Sequence, residues 1–355
     1  MIQISFCIPT LNRAKELEAS LRSIISQADQ RVEIVIVDGG STDETLAVIE
    51  TLKASFPQIY VYGSKSRSGV DRDILQSVAM AHGEFCWLFS DDDLLSPGAL
   101  ERVLQLIQEF PAISGASLNY AAYDATMSYS VATVPAVGHN ALGRNHLFCD
   151  RDECFSLLGV HLGFISCQVV RRSLWTDIAK NNDVTPHCNA WIIVYVVGKI
   201  LERNSYWFYV NDVCVFYRSG NDSFLSRVGL HKRQQITHIA YADTIGSLFP
   251  SDSSTYRNVF NILISDRMAR TLAVFKSRGI TISDQFDLLR MYVKQYWSYP
   301  LFWIKVVPIF IIPSVVLGLT EKTYRWFRKR KVVVHSRTTA DSFGVNRKRG
   351  DQAAD

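Results

Sequence analysis

The feature that most restricts the fold of this chain is a regular alternation of short apolar runs and amphipathic segments over its first 120 residues. The apolar, β-branched runs predict buried strands at 4–9, 33–37, 60–62 and 84–89. The segments with helical spacing predict helices at 14–28, 43–54, 70–81 and 97–110. Strands separated by helices predict an α/β fold with a doubly wound, mostly parallel sheet.

Composition limits the remaining possibilities. The chain has 355 residues, of which 48% are hydrophobic and 20% charged. These values exclude collagen, a simple coiled coil and wholesale disorder. The net charge is +4, and the excess of Lys and Arg lies after Thr320, while the rest of the chain is mildly acidic. A protein that binds nucleic acid spreads its basic residues over a folded face, so we expect no nucleic-acid partner.

Polar residues follow three of the predicted strands at the point where each strand ends. They are Thr10, Asn12 and Arg13 after the first strand, Asp38 after the second, and Asp91–Asp93 after the fourth. Because open α/β sheets bind ligands beyond the carboxyl ends of their strands, these side chains are predicted to share one ligand edge.

The acidic run 91–93 is the strongest chemical signal in the sequence. Three consecutive carboxylates repel one another, and a divalent cation such as Mg²⁺ or Mn²⁺ would offset that repulsion. Magnesium is commonly held by one or two carboxylates together with substrate phosphates, so the run favours a diphosphate ligand. The alternative is an acidic turn that caps the helix beginning near Pro97.

The stretch after the second strand, from Asp38 to Asp43, is the second signal. Two glycines permit a tight turn, and Ser41 or Thr42 is predicted to cap the next helix, whose N-terminus favours an anion. The alternative is an ordinary junction between a strand and a helix.

Four stretches occur together in one order: ISFCIPTLNR, EIVIVDGGSTDET, GVDRDILQSVAMAHGEF and WLFSDDDLLSPGALE. In this order and spacing the first third of the chain resembles the family 2 glycosyltransferases, which have the GT-A fold. Within that family, GVDRDI, WLFSDDD and RSGNDSF resemble abequosyltransferase-like enzymes of surface-polysaccharide assembly. Ser90 departs from the Asp-x-Asp-Asp pattern that is frequent in the family, which leaves the identity of the metal ligand open.

The resemblance implies roles for particular residues. Asp38 would recognise the nucleotide base, Asp91 would lie near the ribose, and Asp92 would hold the metal with Asp93 beside it. The remaining residues implied to bind the nucleotide sugar are Pro9, Thr10, Asn12, Arg13, Asp71 and Arg72. Arg218, Asn221 and His231–Arg233 follow the last predicted strand, in a loop that we predict to close over the donor diphosphate, and a solvated loop is the alternative.

An inverting transfer needs a base that takes the proton of the acceptor hydroxyl. Many members of the family use a Glu-Asp pair before a late helix, and the corresponding place here, 185–191, has no carboxylate pair. His187 is the titratable side chain at that place, with Asp183 and then His161 as alternatives.

The C-terminal part contains a nearly continuous apolar segment at 299–319, about the length that crosses a bilayer, interrupted by three prolines and Lys305. A basic cluster at 322–331 follows it and would lie on anionic headgroups. Together they predict a membrane-associating segment with the catalytic domain on the cytoplasmic face of the inner membrane. A buried helical hairpin is the alternative.

We therefore predict a GT-A type glycosyltransferase that uses Mn²⁺ or Mg²⁺ and moves a sugar from a nucleotide-sugar donor to a lipid-linked glycan acceptor at the membrane surface. The predicted regions are a catalytic domain at 1–225, a helical region at 226–298, the membrane-associating segment at 299–331 and a disordered tail at 332–355. The alternatives are an inactive GT-A-fold glycan-binding or scaffold protein and a nucleotidyltransferase, although IPTLNR lacks the glycines of a nucleotidyltransferase loop.

Overall fold

The computed structural model describes residues 1–63, 69–128, 130–132, 142–221, 223–277 and 279–318. The chain divides into two compact units, Met1–Asp266 and Arg267–Asp355. The predicted basic cluster at 322–331 and the predicted tail at 332–355 lie outside the described residues.

The first unit contains one ten-stranded mixed sheet with the main strand order β3-β2-β1-β4-β9-β6-β10-β5. Its strands are β1 (Ile4–Thr10), β2 (Val32–Asp38), β3 (Ile59–Gly63), β4 (Phe85–Leu88), β5 (Leu94–Leu95), β6 (Gly115–Tyr123), β7 (Ser130–Ala132), β8 (His146–Phe148), β9 (Gln168–Arg171) and β10 (Trp207–Arg218). Strands β1 to β4 pair in parallel, as do β6 and β10, while the shorter pairings are antiparallel. Because most paired residues lie in parallel ladders, the predicted α/β sheet is confirmed.

Helices connect and cover these strands. In the first unit they are α1 (Ala14–Ile25), α2 (Thr45–Lys53), α3 (Val70–Met80), α4 (Ala99–Glu109), α5 (Arg151–Leu158), α6 (Arg172–Asn181), α7 (Ile192–Arg203), α8 (Ser223–Gln234), α9 (Tyr241–Leu248) and α10 (Ser254–Ile262). Short 3₁₀ turns occur at His161–Gly163, Ile165–Cys167 and Thr185–His187, and a π-helical turn at Gln235–Ala240. A further π-helical turn, Leu263–Met268, lies at the border of the two units.

The core explains why the first hundred residues form strands and helices where the pattern predicts them. Strands β1 and β2 are buried along their whole length, which matches their continuous apolar runs. Helices α1 and α4 bury one apolar face each against this sheet, including Leu17, Leu21, Val103 and Leu104.

Two predicted helix starts are wrong. Helix α2 begins at Thr45 without a side-chain cap, because the Ser41 hydroxyl donates to Asp38 at 2.5 Å instead. Helix α4 begins at Ala99 rather than near Pro97, because Gly98 precedes it in the left-handed conformation, with φ 77°. The pattern also missed the short strands β5, β8 and β9, which have too few residues to establish a period.

The second unit is helical where it is described. It contains α11 (Ala269–Ser277), α12 (Ile282–Tyr296), a π-helical turn at Phe302–Val306 and α13 (Val307–Ile311). The buried Lys276 donates to the carbonyls of Ile309 and Phe310, which holds the end of α13. Across the described part of the chain, each helix is too short or too polar to span a bilayer.

The described part of the second unit exposes several large apolar side chains. Many of the exposed large hydrophobic side chains of the described residues belong to it: Ile282, Phe286, Trp297, Trp303, Ile304, Ile311, Val315 and Val316. We call these eight residues the apolar surface of the second unit.

Candidate active site

The acidic turn Asp91–Asp93 follows the carboxyl end of β4 and lies beside the end of β1. Its backbone is held from two sides. The Ser90 N–H donates to the Ser166 hydroxyl at 3.0 Å, and the Ser90 carbonyl accepts from the Ser20 hydroxyl at 3.3 Å. The turn is therefore fixed by residues from α1 and from the segment before β9.

Asp93 points into the protein. Its side chain accepts from the Ser166 hydroxyl at 2.5 Å and from the Arg218 backbone N–H at 3.0 Å, and the residue is 1% exposed. Burial, and then the charge of Asp92, raise the pKa of Asp93 to about 7. Because both carboxylate oxygens already bind protein donors, the geometry favours a structural role for Asp93 over the metal role predicted from the sequence.

Replacing Asp93 by alanine is expected to lower the free energy of unfolding by about 2–4 kcal/mol, because the Ser166 and Arg218 donors lose their buried acceptor. Urea unfolding followed by circular dichroism measures this change. Alanine at the exposed Glu109, on α4, is the control and should change stability by less than about 0.5 kcal/mol. Equal stability of the two variants would contradict the structural role.

The side chain of Asp92 is partly exposed, at 15%. Its carboxylate accepts from the Ser90 hydroxyl at 2.6 Å and from the Asn221 amide at 3.2 Å, and it lies 3.9 Å from the Arg13 guanidinium. Asn221 belongs to the loop that the sequence predicts to close over the diphosphate. The serine that breaks the Asp-x-Asp-Asp pattern thus supports the neighbouring carboxylate by a hydrogen bond.

Asp91 connects the acidic turn to β1. Its carboxylate accepts from the Thr10 hydroxyl at 2.9 Å. Burial and the charge of Asp92 raise the pKa of Asp91 to about 7, while the Arg13 charge acts in the opposite direction. Burial is the main cause of the raised pKa values of Asp91 and Asp93, and the charge of Asp92 adds a smaller repulsion that a bound cation would offset.

The donor set fits a divalent metal that substrate phosphates help to hold. Asp91 and Asp92 supply the oxygen ligands, and one or two carboxylates are sufficient when phosphates complete the coordination of Mg²⁺. No group of three or more His, Cys, Asp or Glu side chains is arranged to hold a metal within the described ranges. A metal here would therefore depend on its phosphate ligands.

The turn after β2 is organised around Asp38. The carboxylate accepts from the backbone N–H groups of Gly40 and Ser41 at 3.1–3.3 Å, in addition to the Ser41 hydroxyl. Gly40 has φ 90°, a conformation that glycine adopts without strain. Asp38 pairs with Thr10 across β1 and β2, so this turn and the acidic turn flank the same strand end, as the sequence predicts.

The loop after β1 joins these two turns. Asn12 has φ 54°, and its side chain accepts from the Thr42 N–H at 2.7 Å, while its own N–H donates to Ser41. Pro9 is buried within β1 itself. The predicted residues Pro9, Thr10, Asn12 and Arg13 therefore lie together with Asp38, Asp91 and Asp92.

Arg218 differs from its predicted role. Its guanidinium donates to the backbone carbonyls of Asp92 and Ala125 at 2.8 Å each. The backbone N–H of Arg218 also donates to the Asp93 carboxylate. Arg218 therefore holds the acidic turn in place rather than extending a free charge toward a diphosphate. Ser166 and Ser20, which also hold this turn, lack any sequence signal because each is one serine among many.

Asp71 and Arg72, at the start of α3, were predicted to face the sugar donor, and in the structure they contact the protein itself. The Asp71 carboxylate accepts from the N–H of Ala190 at 2.6 Å and of Ile192 at 3.4 Å. Arg72 lies close to the Cys188 thiol. Burial raises the pKa of this thiol, and the charge of Arg72 lowers it. Both residues therefore contact the segment before α7.

The three candidate bases have distinct surroundings. The ring of His187 is half-buried and stacks on Tyr195 with 3.6 Å between centroids, and burial lowers its pKa below the usual value. Asp183 is exposed and accepts from the Thr185 N–H at 3.0 Å. His161 is 4% exposed and bonded to the Leu118 carbonyl, so it belongs to the core.

Comparison with known proteins gives relatives along most of the chain. Residues 5–175 match the profile of glycosyl transferase family 2. The abequosyltransferase RfbV of Salmonella typhimurium is 30% identical over 280 residues, covering 74% of this chain and 80% of that protein. A GalNAc(5)-diNAcBac-PP-undecaprenol beta-1,3-glucosyltransferase of Campylobacter jejuni is 32% identical over 110 residues, covering 31% of this chain and 36% of that protein.

One solved structure has the same fold over nearly the whole chain. It is the mannosyltransferase PcManGT from Pyrobaculum calidifontis in complex with GDP-Man and Mn²⁺, with a TM-score of 0.54 and 16% sequence identity. The likeness covers 90% of this chain and 88% of that one.

Proposed function

The chain belongs to glycosyl transferase family 2, and from this premise we propose that it moves a sugar from a nucleotide-sugar donor to a lipid-linked glycan in surface-polysaccharide synthesis. The observation that carries the proposal is the position of the two carboxylates Asp91 and Asp92 beside the Asp38 turn, at the end of β1. The similarity to RfbV over most of both chains supports the polysaccharide role.

A divalent cation, Mn²⁺ or Mg²⁺, would be held by Asp92, with Asp91 beside it, and would neutralise charge on the departing diphosphate. The Mn²⁺ and GDP-Man present in the PcManGT structure support this assignment. Asp38 and the loop 9–13 would bind the nucleoside, because they form the rest of the same strand-end surface. Arg13 lies near Asp92 and would contact the phosphates.

The transfer is proposed to be a direct displacement that inverts the anomeric centre. The acceptor oxygen bonds to the anomeric carbon, the bond from that carbon to the diphosphate breaks, and its electron pair leaves with the diphosphate. The acceptor proton passes to His187. Because burial lowers the pKa of His187, its imidazole is neutral near pH 7 and can accept this proton. The exposed Asp183 is the alternative base.

Replacing His187 by alanine is expected to lower turnover by about 10²–10⁴-fold, the usual contribution of a general base, with little change in donor affinity. Release of nucleoside diphosphate measures turnover, and a thermal shift with the nucleotide measures binding. Alanine at the exposed Asp183 is the comparison. Normal turnover of His187→Ala together with a large loss in Asp183→Ala would move the base to Asp183.

The acceptor is proposed to be reached at the cytoplasmic face of the inner membrane. The apolar surface of the second unit supplies exposed aromatic and aliphatic side chains, and the basic residues from Lys322 to Lys331 follow it in the sequence. The undecaprenol-linked substrate in the name of the Campylobacter relative supports a lipid-linked acceptor.

A panel of UDP-, GDP-, CDP- and dTDP-sugars tests the proposed function. We expect one donor to raise the melting temperature in the presence of Mn²⁺ and to be hydrolysed slowly in the absence of an acceptor. A protein that neither binds nor hydrolyses any member of the panel, with Mn²⁺ or Mg²⁺, would instead favour a glycan-binding or scaffold role.

A further inference from the structure

The segment 189–192, directly before and at the start of α7, is fastened to α3 by one carboxylate. Asp71 accepts from the N–H groups of Ala190 and Ile192, which lie 119 and 121 residues further along the chain. Asp71 is buried. Helix α3 packs against β1 and β2 and begins shortly after the carboxyl end of β3, so its first turn lies at the ligand edge of the sheet.

The carboxylate is charged at neutral pH and suited to this contact. Burial raises the pKa of Asp71 to about 6, and the hydrogen bonds from Ala190 and Ile192 act in the opposite direction. The ionised form therefore accepts two charge-assisted hydrogen bonds near the N-terminus of α7, where the helix dipole also favours a negative charge.

The segment 189–192 also forms hydrogen bonds on the side away from α3. The Trp191 indole N–H donates to the Ile236 carbonyl at 2.6 Å, and the Asn189 amide donates to the Thr244 hydroxyl at 3.3 Å. These partners belong to the π-helical turn 235–240 and to α9. The segment is thus held between α3 and a second group of helices within the first unit.

The backbone at this place is strained. Ala190 has φ 78°, a left-handed conformation that a residue with a Cβ adopts at an energetic cost. Such a conformation persists only where its surroundings determine it, and here Asp71 binds the N–H of that same residue. His187, on the 3₁₀ turn Thr185–His187, lies three residues before Ala190.

We propose that Asp71 is a positioning residue, whose carboxylate holds the strained segment 189–192 against α3 and thereby holds His187 at the place where the acceptor hydroxyl is activated. The inference rests on the proposed function, in which His187 is the base. The sequence implies that Asp71 binds the sugar donor. In the structure the Asp71 side chain binds the protein's own backbone instead. Misplacement of a reacting group by about 1 Å can lower a rate about 100-fold, so the loss of this contact has a large kinetic consequence.

The first experiment uses the full chain with Asp71→Asn. In this variant an NH₂ group replaces one carboxylate oxygen, and the negative charge is lost. The donor is the nucleotide sugar that the panel identifies, and the acceptor is a lipid extract of the membranes of the source organism. We expect transfer to fall about 10–100-fold, while the dissociation constant of the donor changes by less than about threefold. Hydrolysis of the donor by water is expected to fall less than transfer, because water needs no fixed position.

A second substitution separates positioning from general damage. Glycine adopts φ 78° without strain, so Ala190→Gly in the Asp71→Asn background is expected to recover at least part of the lost transfer, about threefold or more. The control is Glu33→Gln, because Glu33 is another buried carboxylate that binds a backbone N–H, that of His82, at the opposite end of the strands. Glu33→Gln is expected to lower stability and to leave the ratio of transfer to hydrolysis unchanged.

If Asp71→Asn does not fold, Trp191→Phe tests whether the position of the segment 189–192 matters, through the contact that does not involve Asp71. It removes the N–H that binds the Ile236 carbonyl and leaves a smaller aromatic ring, and we expect the same fall in the ratio of transfer to hydrolysis. Three outcomes overturn the inference: an unchanged ratio in folded Asp71→Asn or Trp191→Phe, a loss of donor affinity as large as the loss of transfer, or no recovery with Ala190→Gly. A wild-type protein without transfer or hydrolysis would overturn the proposed function, and the role of Asp71 with it.

Discussion

Substitution of Asp92 by asparagine is expected to lower turnover about 10³-fold at saturating donor, with the fold intact. The Asp92 side chain is partly exposed while Asp93 is buried, and a metal held by Asp92 would contribute several kcal/mol to the neutralisation of the departing diphosphate. The asparagine side chain has nearly the same shape, so the hydrogen bonds that hold the turn through Asp93 and Ser90 remain available.

The stability of Asp92→Asn is expected to equal or exceed that of the wild type. The charge of Asp92 raises the pKa values of both Asp91 and Asp93, so its removal lowers them and relieves repulsion. Release of nucleoside diphosphate at increasing Mn²⁺, together with thermal unfolding, measures both effects. Ser90→Ala is the control, because it removes a hydrogen bond to Asp92 and keeps the carboxylate. Undiminished turnover of Asp92→Asn at saturating Mn²⁺ would exclude the metal role.

Replacement of four residues of the apolar surface by glutamine is expected to lower binding to anionic phospholipid vesicles about 100-fold or more. The four are Trp297, Ile304, Ile311 and Val315, which are exposed and which would each contribute about 1 kcal/mol or more if buried in a lipid phase. The secondary structure should not change, because none of the four side chains is buried. Sedimentation with vesicles of phosphatidylglycerol and phosphatidylethanolamine measures the effect.

The salt dependence separates the two parts of the proposed membrane contact. Binding by the basic residues from Lys322 to Lys331 weakens at high salt, whereas burial of apolar side chains does not. Wild-type protein is therefore expected to remain partly bound in 0.5 M salt, and the quadruple variant to be released completely. The matched control replaces Leu46 and Tyr206, which are exposed apolar residues of the first unit, by glutamine. Equal binding of the quadruple variant and the wild type would contradict the membrane role of this surface.

The division of the chain is one place where local pattern and tertiary structure differ. The sequence predicts a boundary near residue 225, where the strands end and helices begin. The compact units meet instead at Asp266 and Arg267, because α9 and α10 pack on α5 and α7 and therefore belong with the sheet domain. The change from strands to helices along a chain marks a change in secondary structure, and only packing decides which helices share a core.

The sequence by itself determined the α/β alternation and the edge at which the candidate site lies. Both follow from local rules, since apolar periodicity specifies strands and helices, and parallel strands end at one edge of the sheet. Thr10, Asp38 and the acidic turn could be placed together on that basis, and the structure has them there. Tertiary structure alone decided the direction and partner of each side chain. Asp93 turns inward to Ser166, and Asp71 binds a segment 119 residues away, because hydrogen bonds between distant parts of the chain depend on how the elements pack and leave no periodic trace in the sequence.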